Sequence, residues 1–221
     1  MVLKLYGYAT APCTLRVAIV LHEKNIPYEF HTIDLTKGEQ KAPAFLEKHP
    51  FGQTPYLDDD GYGIYESRAI CRYLDAKYEG RNPCLAPSPS DIQAYGLFEQ
   101  AASVEASNFY KPLISALVEK LFKPMRGVKG NDEVAAGELQ TLQRNLDAYE
   151  KILSKQKYLA GDEATLVDLF HLPEGASAPL IGFNGLEDGQ RPSVARWWKE
   201  LTSRPAWVAV KNGVKDLSAS S

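Results

Sequence analysis

The chain has 221 residues, 44% of them apolar and 24% charged, with a net charge of -3, enough apolar content to bury a sizeable core. Scattered Lys and Arg argue against a nucleic-acid or anionic-membrane partner, and no apolar run approaches membrane-spanning length. With no cleavable leader and three widely spaced cysteines, Cys13, Cys71 and Cys84, the expectation is a cytoplasmic protein with reduced thiols.

In chain order, Leu3 to Gly7 alternates like a strand, Gly7 to Pro12 is rich in turn formers, and Val17, Ala18, Val20 and Leu21 recur at helical spacing. Tyr28 to Leu35 alternates again, which predicts a strand-helix-strand unit with a parallel pair. Asp60-Gly61 between two short apolar runs predicts an antiparallel hairpin. From Glu66 the stripe Ile70, Tyr73, Leu74 and Tyr78 is helical. These elements form an α/β N-terminal domain over residues 1–80. Pro83, Pro87 and Pro89 mark a linker over 81–90. Residues 91–221 read as an all-α C-terminal domain, with helices expected near 91–122, 131–153, 165–180 and 193–203 and a frayed tail from Leu217 to Ser221. Thr165 and Asp168 fit a helix-starting capping box.

No metal-ligand spacing links His22, His31, His49 and His171, and no P-loop, dinucleotide fingerprint or nucleophile elbow is present, so neither metal nor nucleotide cofactor is expected. His171 fits either core or pocket.

The order Pro50-Phe51-Gly52-Gln53-Thr54-Pro55 and then Glu66-Ser67-Arg68-Ala69-Ile70 resembles the glutathione-binding half of soluble glutathione transferases, above all the phi class. Gly38 to Lys41, Phe98 to Ala101, Val104 to Ala106 and Thr165 to Asp168 extend the resemblance over most of the chain, and Phe122 to Gly127 is most similar to fungal members. The resemblance implies a thioredoxin-like first domain, a helical second domain, glutathione as co-substrate and a homodimer that packs through the helix carrying Arg68, Arg72 and Tyr73.

For the site, the resemblance implies that the peptide groups at Thr54, before a cis Pro55, pair with the cysteinyl backbone of glutathione. Ser67 at a helix N-terminus suits the γ-glutamyl carboxylate and Glu66 its ammonium, although capping alone also explains Ser67. Gln40 and Lys41 would contact the glycine carboxylate and Gln53 the ligand backbone; without the resemblance, these three are ordinary solvated residues. Tyr8 and Pro12, with Phe109, Tyr110, Phe122 and Phe170, are candidates for the wall of an acceptor pocket for a small apolar electrophile, or else core.

One position departs from the family pattern. Ala11 stands where phi relatives carry the serine whose hydroxyl stabilises the glutathione thiolate. Substitutes within reach are the Thr10 hydroxyl, Cys13, and the helix N-terminus, where Ala11 followed by Pro12 leaves the amides of Cys13 and Thr14 without a capping side chain. The favoured reading is conjugation with the helix N-terminus as substitute. Two alternatives stay open: glutathione-dependent thiol exchange through Cys13, and a non-catalytic carrier of glutathione or apolar ligands.

Overall fold

The computed structural model describes residues 2–81 and 83–217. The chain divides into two compact units, Met1–Cys84 with Arg204–Ser221, and Leu85–Ser203.

In the first unit, β1 (Leu3–Gly7) pairs in parallel with β2 (Tyr28–Thr32), Leu3 opposite Tyr28 and Gly7 opposite Thr32. The helix α1 (Pro12–Glu23) joins them, as the strand-helix-strand pattern predicts. Its residues from Thr14 to Leu21 are all buried, so α1 is a core helix enclosed on every side rather than a surface amphipath. Gly7 permits the approach of α1 to β1: a Cβ there would lie 2.6 Å from the Thr14 side chain. Beyond a short α2 (Pro43–Leu46), β3 (Tyr56–Asp59) runs antiparallel to β1 and forms the expected hairpin with β4 (Tyr62–Tyr65). Asp60 at φ 55° and Gly61 at φ 88° supply the two positive backbone angles of the turn. The sheet order is β2-β1-β3-β4. Behind it α3 (Ser67–Lys77) packs on α1. Lys24, buried at the end of α1, pairs with Asp75 of α3 at 2.7 Å and donates to the carbonyls of Tyr78 and Arg81 at 3.4 and 3.1 Å.

The first unit also includes the C-terminal end of the chain, which the sequence assigns to the helical domain. The helix α11 (Pro205–Val210) packs on α1, with Trp207 and Val210 buried. Arg204 clamps Glu23 through two bonds of 2.6 and 2.8 Å. The Val214 amide then donates to the Ala9 carbonyl at 3.0 Å and the Leu217 amide to the Tyr28 carbonyl at 3.1 Å. Leu217 is therefore tied down, while the rest of the expected frayed tail, 218–221, lies outside the described residues.

The second unit opens with α4 (Ile92–Val104), which continues through a π-helical turn at Glu105–Tyr110, α5 (Lys111–Leu117), a second π-helical turn at Val118–Phe122 and α6 (Lys123–Met125). The sequence predicts one helix here; Pro112 explains part of the difference, since it cannot donate to Asn108. The Asn108 carbonyl instead accepts from Asn145 Nδ2 at 2.7 Å. α7 (Asp132–Leu153) starts under the Asn131 side chain, which accepts from the amides of Glu133 and Val134. The expected helix at 165–180 is broken by Pro173 into α8 (Leu166–Phe170) and α9 (Leu172–Ser177), followed by a 3-10 turn at Ala178–Ile181. Thr165 and Asp168 form the predicted capping box. The same buried Asp168 carboxylate also accepts from the Leu159 amide at 3.1 Å and from Trp197 Nε1 of α10 (Pro192–Thr202) at 2.9 Å. Its role is to knit three segments of this unit together.

Candidate functional site

Strand register brings the motif residues of the first unit to one end of the sheet. Tyr6 lies opposite Tyr56 and Tyr56 opposite Tyr65, so the exit of β1 into Tyr8, the entry of Thr54-Pro55 into β3, and the exit of β4 into Glu66 are neighbours. The Thr54-Pro55 peptide is cis, as the motif requires. Pro55 is buried and Thr54 half-buried. Glu66 takes φ 71° and ψ 105°, a conformation disfavoured for any side chain, and directly precedes Ser67 at the start of α3. Ser67 is 6% exposed and its Oγ accepts from Arg16 Nη1 at 2.8 Å.

At the exit of β1 the Ala11 amide donates to the Tyr8 carbonyl at 2.9 Å, and Ala11 caps α1 with no side-chain bond. The sequence predicts two open amides at this helix start, those of Cys13 and Thr14. The structure corrects one: the Thr14 amide donates to the Ala11 carbonyl at 2.9 Å, because the first turn tightens on itself. Of the two, the Cys13 amide keeps no backbone partner among the bonds of the described residues, and Pro12 has no amide hydrogen to offer. Cys13 is half-buried with Sγ 3.5 Å from Arg16 Nη1. Cys71 is a core thiol, pushed up to about 12 by burial, with Sγ donating to the Arg16 carbonyl. Thr10 is exposed.

The third wall is the segment from Gly38 to Gly52. Lys41 Nζ donates to the Phe51 carbonyl at 2.8 Å, and Gly52 at φ 55° sits so close that a Cβ would be 2.7 Å from the Gln40 carbonyl. Gln40 is half-buried with Oε1 shielded and unpartnered, and Gln53 is exposed. His49 is 2% exposed, stacked on Tyr65 at 4.4 Å, with Nδ1 unpartnered and its basicity lowered, mainly by burial. The Thr54 peptide before a cis proline, an acid and a hydroxyl at one helix start and an open amide at another suit a short, charged peptide.

Family models for the glutathione S-transferase N-terminal domain and C-terminal domain match residues 1–76 and 112–205. The chain is 52% identical over 197 residues to glutathione S-transferase PM239X14 of Arabidopsis thaliana, covering 88% of this chain and 89% of that one. The chain belongs to the glutathione S-transferase family. It is also 42% identical over 209 residues to glutathione S-transferase hmp2 of Hypomyces subiculosus, covering 94% and 97% of the two chains. Among solved structures, glutathione transferase F7 of Populus trichocarpa superposes with a TM-score of 0.88 at 36% identity, covering 96% and 98%. These relatives and neighbours place the transferase with the phi (F-type) class, and with them the thioredoxin-like first domain and helical second domain.

Of the residues expected to wall an acceptor pocket, two are core of this transferase's helical unit. Phe109 and Phe170 are 1% and 0% exposed, and Phe109 lies 4.4 Å from the His171 ring. With no accessible face, neither can wall a pocket. His171 likewise faces the core, bonded to the Val167 carbonyl at 2.8 Å and Tyr149 Oη at 3.0 Å. Tyr110 and Phe122 are half-buried in the same unit, and Tyr8 and Pro12 half-buried in the first. Sequence reasoning assigns Arg16 no role and misses its contact with Ser67. The available signal was a charge set inside the apolar run Leu15 to Leu21. It also missed the return of Val214 to Ala9, for which the sequence carries no local signature.

Proposed function

We propose that this glutathione S-transferase binds glutathione across the end of the sheet and directs its thiolate at small apolar electrophiles. The carrying observation is the juxtaposition, by register, of the cis Thr54-Pro55 peptide and the Glu66-Ser67 pair with the exit of β1 toward the α1 N-terminus. In this reading the Thr54 peptide pairs with the cysteinyl backbone, Ser67 and Glu66 take the γ-glutamyl carboxylate and ammonium, Gln40 and Lys41 contact the glycine carboxylate, and Gln53 adds a contact to the ligand backbone. The glutathione thiol, with a pKa of about 8.5 in solution, loses its proton to solvent as it settles against the Cys13 amide and the positive end of α1. The thiolate forms the new S–C bond and the acceptor's leaving group takes the displaced electron pair. Thr10 and Cys13 stand beside Ala11 as auxiliary donors, and Tyr8 and Pro12 are the acceptor-side residues of this unit. Support comes from similar proteins: glutathione S-transferase I of maize in complex with atrazine glutathione conjugate has a TM-score of 0.84 at 30% identity and covers all of both chains.

The test is an ultraviolet titration of bound glutathione thiol alongside turnover of a general electrophile. A thiol pKa below the solution value, with turnover, supports the reading. Saturable binding with an unshifted thiol and no turnover identifies a ligand carrier instead.

A second reading, thiol exchange, is favoured by the guanidinium 3.5 Å from Cys13 Sγ. The Cys13 thiolate would attack a glutathione mixed disulfide, forming a Cys13–glutathione disulfide and releasing the other thiol. A second glutathione thiolate would then restore Cys13 and leave as oxidised glutathione. Full exchange activity in Cys13→Ser removes it. We further propose a homodimer in a reducing cytoplasm, packed through α3 with its Arg68, Arg72 and Tyr73, with the exposed ring of Phe51 as a further contact to test.

A further inference from the structure

Arg16 is completely buried, in a stretch of α1 whose other members are apolar or small. Moving a guanidinium out of water is costly, and a Met or Leu would fill the same volume without that cost. Its contacts give the charge a purpose. One nitrogen, Nη1, reaches Ser67 Oγ at 2.8 Å and Cys13 Sγ at 3.5 Å, and so ties the N-terminus of α3 to that of α1. The Arg16 carbonyl is held in turn by Cys71 of α3. A serine hydroxyl has one hydrogen and two lone pairs. Since a guanidinium can only donate, Ser67 Oγ is the acceptor in this pair and keeps its own hydrogen for another partner. A hydroxyl that accepts from a cation is also polarised into a stronger donor.

We propose that Arg16 is a positioning residue for carboxylate recognition: it turns the Ser67 hydroxyl so that its hydrogen faces the γ-glutamyl carboxylate, and sets a fixed positive charge behind that oxygen. The inference rests on the reading that Ser67 receives this carboxylate. It assigns Arg16 to the glutathione side of the reaction, acting on ligand affinity and KM rather than on the chemical step.

The experiment is a calorimetric double-mutant cycle with Arg16→Met, Ser67→Ala and the double variant, titrated with glutathione and with γ-aminobutyryl-cysteinylglycine, the same tripeptide without that carboxylate. Melting curves establish that each variant is folded, and Arg16→Lys, which keeps the charge but not the fork, carries the same comparison if Arg16→Met does not fold. Arg16→Met should weaken glutathione binding about 10- to 100-fold, the scale of one charge-assisted hydrogen bond. Its Kd for the decarboxylated peptide should be unchanged, and it should add little in the Ser67→Ala background. Equal weakening of both peptides, or fully multiplicative effects with Ser67→Ala, would make Arg16 a structural residue and overturn the inference. If the unaltered chain prefers glutathione and Arg16→Met keeps that preference, the inference alone falls. If the unaltered chain binds both peptides equally, the carboxylate reading of Ser67 falls and takes the inference with it.

Discussion

Glu66 combines backbone strain with the ligand contact proposed for it. A side chain at φ 71° and ψ 105° costs about 1–3 kcal/mol, which glycine would relieve. Glu66→Ala and Glu66→Gly both remove the carboxylate, so both should lose glutathione affinity, but Glu66→Gly should be the more stable of the two by about 1 kcal/mol in urea denaturation. Asp75 presents the opposite case. Removing it as Asp75→Ala leaves the Lys24 ammonium buried without its counter-charge, and a loss of about 3 kcal/mol is expected from the same measurement. His49 sets a pH dependence. Burial, with Lys41 adding to it and Glu66 opposing, holds its folded pKa below the unfolded value of 6.5, so the folded state binds fewer protons. Its contribution to stability is complete above about pH 6.5 and is lost as the pH falls from there through the folded value. Unfolding free energies measured in this window should decline less steeply for His49→Phe, which keeps the stack on Tyr65.

Among the elements, α1 bears most on the site because its start, its middle and its end each hold something else in place. Gly7→Ala would force β1 away from Thr14 and shift that start; several degrees of melting temperature and a larger share of turnover should go with it. The elements of the first unit were legible because each had a local cause: alternation for the strands, Asp60-Gly61 for the hairpin, Pro12 for the helix start. The long first helix of the second unit was legible only in outline. Its first π-helical turn combines Pro112 with a carbonyl that Asn145 of α7 reaches, and spacing along one helix carries no information about that second contact. The same limit explains Phe109, Phe170 and His171: periodicity places them on a buried stripe, but not whether that stripe meets protein or a cavity.

For the whole molecule, the motif residues could be named from the sequence because the family pattern fixes their order, while Arg16 and Val214 act through contacts made over long separations in the chain. In the proposed homodimer the exposed Phe51 is a contact beyond a single chain. Phe51→Asp should convert dimers to monomers in sedimentation at micromolar concentration, with the Lys41 contact retained because it uses only the Phe51 carbonyl. The return of α11 to α1 has a consequence in time. The loop at Ala9, which leads to the proposed thiolate site, takes a hydrogen bond from Val214 and precedes the start of a helix that α11 braces. On the ribosome, therefore, the segment made first is completed last: the helical unit in between has already emerged while the glutathione side still waits for its final brace.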